Sequence, residues 1–458
     1  MDSPAFSEQS ISSSSGSHSK KEWIRGVNVG GWLLAERFIT PYLFAINSCH
    51  LNGDLCWYPG QVGMPENAKI CNTTVTGGTC EPHKPVKVKD GNADYHPRNA
   101  RSYMDYPIDE YTLGQAFNSS GVSPDVGLKY MERHWDTFVT YQDLVNLKDA
   151  GVTHLRVPLS YWIRGDITAD EPWIGANPGA TGDAGEWKYF VRFAKWCKEI
   201  GGLHIWADLH GAPGSENGFD NSGQYLGRST CKGWTGNPSN VERTVDILTD
   251  IVDAIANDGI ADVVAGVGLL NEPFINCNEN LLKSYYNQGF DIVRKTLGAD
   301  TAVFIGDMFQ AWRFNDGKWW TDPVTHHNTY LDSHPYHVFF EKGRAFTPRQ
   351  HIAYVCRHNY FEVKSCCFDD APNNTQPSSG ISRIMGEWSA AYDILPTAMA
   401  PYIMKTIAST GEAPYLNRTL SKPRKQFMNH FVKAQMVSYE AKDDGVSSGW
   451  LFWNFKME

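Results

Sequence analysis

Eight short apolar segments recur along this chain with helical stretches between them, and that alternation restricts what it can fold into. The segments read as strands at about Ile24–Gly30, His154–Leu159, Leu203–Leu209, Val263–Asn271, Ala302–Asp307, Tyr330–Ser333, Ile381–Gly386 and Gly449–Asn454. Helical periodicity fills most of the gaps, at Trp135–Ala150, Trp187–Ile200, Val241–Asn257, Leu281–Leu297 and Lys425–Ala441. Strands that alternate with helices form βα units around a parallel sheet. Eight units point to an α/β fold closed as a (β/α)8 barrel. An open dinucleotide-binding sheet is disfavoured, because Gly26–Gly31 lacks the G-x-G-x-x-G spacing.

Two irregularities qualify the barrel. A segment from about 38 to 126 interrupts the first βα connection and is expected as an elaborated loop on the C-terminal face. The chain also reaches Glu458 just after the eighth strand, so the expectation is a barrel without an eighth helix. The domain reading is a disordered Ser-rich leader over 1–20 followed by one barrel over 21–458.

The formal net charge is −10. This disfavours nucleic acid, whose binding depends on Lys and Arg neutralising phosphates. The longest apolar run, Val263–Leu270, is far too short for a membrane span. Of the ten cysteines, Cys49, Cys56, Cys71 and Cys80 share one Gly/Asn/Thr-rich region, where bridges can staple an insertion with little core. Cys356, Cys366 and Cys367 lie in a second loop-like stretch, with Cys231 and Cys277 near two others. No Cys-x-x-Cys pair at zinc-ligand spacing is present. Asn-x-Ser/Thr sequons begin at Asn72, Asn118, Asn373 and Asn417, all in loop-like sequence. Cysteines and sequons together favour a secreted or lumen-facing protein, expected outside the cell or in the cell wall, whose targeting segment or membrane anchor is not present in this chain.

Chemistry in such a barrel sits at the C-terminal strand ends. There the sequence offers Asn28, Trp32 and Glu36 after strand one, Arg156 in strand two, and Asp208 and His210 at strand three. Asn271-Glu272-Pro273 follows strand four, His334-Pro335-Tyr336-His337 follows strand six, Gly386-Glu387-Trp388 ends strand seven and Trp453 ends strand eight. A glutamate closing an apolar strand is costly unless paired, hydrogen-bonded or used. A lone one can serve as an ion-pair partner for a neighbouring helix. Two of them, at strands that face each other across a small barrel, supply the carboxyl pair that retaining glycosidases need, one protonated and one ionised. Asn271 can bond a sugar 2-hydroxyl in the oxocarbenium-like transition state.

These motifs resemble glycoside hydrolase family 5, and within it the fungal exo-β-1,3-glucanases (glucan 1,3-β-glucosidases). The likeness runs from Arg25-Gly-Val-Asn-Val-Gly-Gly-Trp-Leu-Leu-Ala-Glu36 through Leu155-Arg-Val-Pro158, Asp208-Leu-His-Gly-Ala-Pro-Gly-Ser215 and Asn217-Gly-Phe-Asp-Asn-Ser-Gly223 to Trp450-Leu-Phe-Trp453. The resemblance implies Glu272 as acid/base and Glu387 as nucleophile, with Glu272 holding its proton near the working pH. It implies that Arg156, His210, Asn271, His334 and Tyr336 orient these carboxylates. Glu36, Asp220, Asn221 and Trp453 would hold the terminal glucose, while Phe219 and Phe339 would clamp the next sugar. His337 and Pro335 depart from the family pattern. The implied activity is release of glucose from β-1,3-glucan ends by double displacement, by a monomer needing no cofactor or metal. Other β-glucoside specificities (β-1,6-glucan, glucosyl lipid), transglycosylation and a catalytically idle glucan-binding cell-wall protein are the alternatives.

Overall fold

The computed structural model describes residues 24–51, 56–71, 107–174, 185–314, 325–339, 341–357, 381–392, 420–440 and 447–457. Eight parallel strands close into one barrel in sequence order. They are β1 (Ile24–Asn28), β2 (His154–Leu159), β3 (His204–Leu209), β4 (Val264–Gly268), β5 (Ala302–Gly306), β6 (Thr329–Ser333), β7 (Ser382–Trp388) and β8 (Gly449–Phe452). The closing seam pairs Ile24 with Gly449 and Gly26 with Leu451. All eight expected strands are present, with ends shifted by no more than a few residues.

Inside the barrel the side chains form layers. Trp206 stacks on Phe304 with ring centroids 3.6 Å apart. Ile384 and Leu451 complete this apolar layer. Above it comes a charged one, since the next inward residue of β3 is Asp208 and Arg156 of β2 lies over the Trp206 ring at 5.3 Å. An apolar floor under a polar mouth is what turns a packed barrel into a site at one end only.

Helices sheathe the outside. In chain order they are α1 (Pro41–Phe44), α2 (Ser48–Leu51), α3 (Glu110–Ser119), α4 (Pro124–Thr137), α5 (Tyr141–Asp149), α6 (Trp187–Ile200), α7 (Pro238–Asn257), α8 (Glu279–Thr296), α9 (Glu341–Arg344), α10 (Pro348–Arg357) and α11 (Lys422–Glu440). Their inward stripes follow the helical period: Ile247, Leu248, Ile251, Val252 and Ile255 of α7 are all buried. None of the described helices is long and apolar enough to cross a membrane.

The helix expected over Trp135–Ala150 is instead two helices, α4 and α5. Thr140 caps α5 by accepting from the Asp143 amide, and the Asp143 side chain returns a bond to the Thr140 amide. This reciprocal pair stops one helix and starts the next. The described parts of the 38–126 segment are not a loose loop. Leu43, Phe44, Tyr58, Leu113 and Phe117 join the main hydrophobic core, and a Cys49–Cys56 disulfide staples the segment. A second disulfide joins Cys231 to Cys277. Cys80, Cys366 and Cys367, the Cys356 side chain, three of the four sequons and the 1–20 leader lie outside the described residues. Asn118, the fourth sequon, is exposed in the last turn of α3 rather than in a loop.

Among the described residues no helix follows β8. The segment after it lies back over the barrel. The Phe455 amide donates to the Asn28 carbonyl at 3.0 Å, and Lys456 Nζ reaches the Phe138 carbonyl at 2.9 Å and Asp143 at 2.5 Å.

Candidate active site

Glu387 reaches the mouth through an irregularity in its strand. Met385 and Trp388 both face outward, packed with Tyr439 of α11, although strict alternation would put residues three apart on opposite faces. The β7–β8 register shifts between these two residues, so Gly386 and Glu387 both turn inward; bulges next to active sites re-aim side chains in this way. Gly386 leaves the room that Asp332 occupies, for a Cβ there would meet Asp332 Oδ1 at 2.0 Å.

Glu272 is held differently. It adopts a left-handed backbone conformation (φ 46°), which is uncommon for a residue with a side chain and is typically retained where function requires it. His334 Nδ1 bonds its Oε1 at 2.7 Å, and Asn221 Nδ2 donates to its Oε2 at 3.1 Å. On the other carboxylate, Arg156 Nη1 donates to Glu387 Oε1 at 2.6 Å and Tyr336 Oη to Oε2 at 2.9 Å. His334 Nδ1 lies 3.6 Å from Glu387 Oε2. Glu272, His334 and Glu387 each present an atom within 4.8 Å of the other two, so the fold brings together the two glutamates that the sequence places 115 residues apart.

Arg156 organises the rest. Wholly buried, it donates to Asn28 Oδ1 at 3.0 Å and to Asn271 Oδ1 at 2.7 Å. It also pairs with Asp208 at 3.0 Å and approaches Asp332 at 3.8 Å. Burial works against its charge, but Asp208, Glu387 and Asp332 overcome it and raise its pKa. His210 Nδ1 bonds Asp208 at 2.7 Å, and Asn271 Nδ2 lies 3.5 Å from His210 Nε2. Trp453 stacks on His210 at 5.8 Å, its plane inclined by only 10°.

The proton expected on Glu272 meets opposing influences here. Burial pushes the Glu272 carboxyl up, but the His334 bond and charge, then Asn221 and His210, outweigh it, and its pKa is lowered. Burial also opposes a charge on His334, yet Glu387 and Asp332, with the bonds to Asp332 and Glu272, raise that imidazole well above its ordinary range. Glu272 and His334 thus form one coupled pair along a 2.7 Å bond, with His334 placed among three carboxylates. These three atoms could also approach a metal ion, but His334 Nδ1 already bonds Glu272, and Arg156 and Tyr336 occupy the two oxygens of Glu387.

The remaining expected residues line the rim. Glu36 follows β1, and burial, then the charges of Glu387, Asp220 and Glu272, push its carboxyl well up. Among the described residues its buried Oε1 has no hydrogen-bond partner. Asp220 and Asn221 lie in a short 3-10 turn. Phe219 packs edge-to-face on Phe274 and Phe309 at 5.9 and 6.3 Å. Phe339 is 59% exposed and rests edge-on against Tyr336 at 5.0 Å. No described ring contact joins Phe219 to Phe339. His337 turns away from the mouth: it is buried against His351 and Phe431, and burial followed by His351 lowers its pKa to about 3.

Sequence reasoning missed Asp332, which bonds His334 Nε2 at 3.2 Å, and did not assign Asn28 or Asp208 a place around Arg156. An acid at the end of an apolar strand is the available signal, and Leu331-Asp332-Ser333 carries it.

A closed (β/α)8 barrel whose mouth holds two hydrogen-bonded glutamates within reach of each other defines a glycoside hydrolase of the barrel class. No family model matches the chain. It is 30% identical over 454 residues to the probable glucan 1,3-beta-glucosidase A of Aspergillus terreus, covering 95% of this chain and 84% of that one. It is 27% identical over 463 residues to the glucan 1,3-beta-glucosidase of Lachancea kluyveri, covering 95% and 83%. The solved rutinosidase of Aspergillus niger shares the fold, with a TM-score of 0.57, 16% identity and coverage of 96% and 91%. The chain belongs to the glucan 1,3-beta-glucosidase family.

Proposed function

We propose that this enzyme hydrolyses β-1,3-glucan with retention of configuration, releasing glucose from chain ends. The observation that carries this reading is the approach of Glu272 and Glu387 to within 4.8 Å. Retaining enzymes hold their carboxyl groups about 5–5.5 Å apart, whereas inverting ones leave about 6.5–9.5 Å for a water. Glu387 attacks the anomeric carbon while Glu272 protonates the leaving oxygen, and Glu272 then activates the water that releases the sugar.

The lowered pKa of Glu272 modifies how this begins. In the free enzyme Glu272 and His334 share one proton along a 2.7 Å bond. Return of that proton to the carboxyl, as a sugar fills the site and excludes water, supplies the acid. Arg156 and Tyr336 meanwhile occupy both oxygens of Glu387 and keep the nucleophile aimed. Burial, then Glu387 and Glu272, raise the Tyr336 phenol well above its ordinary value, so it remains a donor throughout. Glu36, Asp220, Asn221 and Trp453 hold the terminal glucose, and Phe219 and Phe339 meet the sugar beyond the scissile bond from separate walls. The substrate class follows the relatives named glucan 1,3-beta-glucosidase. A place in the cell wall or outside the cell accords with the two disulfides.

The test is Glu387→Gln, which keeps the shape of the side chain and removes its charge. Glucose release from laminarin should fall by on the order of 10³-fold or more in a variant that still folds by circular dichroism. Wild-type turnover in that variant would sink the assignment.

A further inference from the structure

We propose that Asp109 and Glu110, which open the insertion helix α3, are positioning residues for the sugar-binding loops. Glu110 sets the β1 loop that carries Glu36, and Asp109 sets the β3 turn that carries Asp220 and Asn221. This inference rests on the glucan-hydrolase reading above and names the part of the chain that shapes its glucose subsite.

Both acids are buried, at 0% and 1% exposure. Glu110 Oε2 accepts the Ala35 amide at 2.8 Å, one residue before Glu36. The carbonyl of Glu36 is itself held by the Ile39 and Thr40 amides, both at 2.9 Å. Main-chain bonds on either side thus fix the backbone from which its carboxyl projects, and its Oε1 remains unpaired among the described residues. Asp109 Oδ2 accepts the Tyr225 amide at 2.6 Å, while its Oδ1 caps α3 through Thr112. The Tyr111 amide donates to the Gly223 carbonyl at 3.0 Å. Gly223 closes the Asp220–Ser222 turn, and it lies so near Trp162 that a Cβ would meet the ring at 2.5 Å. Trp162 in turn donates to Glu186 at 3.0 Å. Two loops from different strands therefore meet on one helix N-terminus, and that helix comes from the insertion. Capping α3 needs only one of the two carboxylates; the second reaches out to a neighbouring loop.

The test compares this chain with Glu110→Ala, Glu110→Asp and Glu110→Gln, reading laminaribiose affinity by calorimetry in a Glu387→Gln background, and KM and kcat on laminaribiose and melting temperature in the active one. Gln keeps an acceptor oxygen at the reach of Ala35, whereas Asp keeps a carboxyl but falls one methylene short. The expected result is a rise in Kd and KM of about fivefold or more for Ala and Asp, exceeding any fall in kcat, with Gln within about twofold of wild type. If Ala fails to fold, the Asp–Gln contrast carries the test. Folded Asp and Ala variants with wild-type affinity, or a Gln variant as impaired as Asp, would overturn the proposal. A wild type that binds laminaribiose without hydrolysing it would refute the hydrolase reading while leaving the affinity comparison decisive. One that neither binds nor hydrolyses would overturn both.

Discussion

A guanidinium sealed from water persists only where carboxylates and hydrogen-bond acceptors surround it. Arg156 meets that condition through Asp208 and Glu387, with Asn28 and Asn271 on the same two nitrogens. Removing it would leave two buried carboxylates without their counter-charge. Arg156→Ala should therefore lose about 3–5 kcal/mol of stability in urea titration, in addition to its loss of activity; a wild-type denaturation midpoint would contradict this. At this scale the sequence was partly legible. Glu272 and Glu387 stand out because each ends an apolar strand beside a proline or a tryptophan. Asp332 carries the same strand-end signal, but its partner Arg156 comes from another part of the chain and meets it only once the barrel closes. Where the proton sits was not legible at all, since it depends on a 2.7 Å contact between residues 62 positions apart.

Among the elements, α3 joins the insertion to the barrel through buried acids, which makes its docking sensitive to pH. Burial, opposed by the Ala35 and Trp162 bonds and reinforced by Asp109, raises Glu110 from 4.5 to about 8. Burial likewise raises Asp109 from 3.8 to about 6, against its bonds to Thr112 and Tyr225 and with Asp220 adding to the rise. An acid whose pKa is higher in the folded state binds more protons there. Its contribution is complete below the unfolded value and is lost as pH rises through the folded one. Glu110→Gln cannot ionise, so its melting temperature should gain on that of wild type steadily from pH 5 to pH 8. A difference that stays flat over that window would show that Glu110 is not protonated in the fold. The helices also show where sequence patterning falls short. Trp187–Ile200 was read to the residue, because an apolar stripe runs its length and Gly201 follows. The α4–α5 break was not, although Thr140 and Asp143 spell the capping pair, because apolar residues continue across the gap at Phe138 and Val139.

The whole molecule explains why a few motifs were so informative. Parallel strands in sequence order send every strand end to one face, so listing those ends also lists the site. What patterning could not supply was the role of the insertion. Its acids are silent in sequence, and only closure of the barrel brings them against the loops of β1 and β3. The central claim is that two glutamates held this close act by double displacement. It is tested most directly by following laminarin hydrolysis with proton NMR from the first turnovers, before mutarotation. The account predicts β-glucose as the first-formed product; α-glucose appearing first would mean inversion and contradict the role given to Glu387.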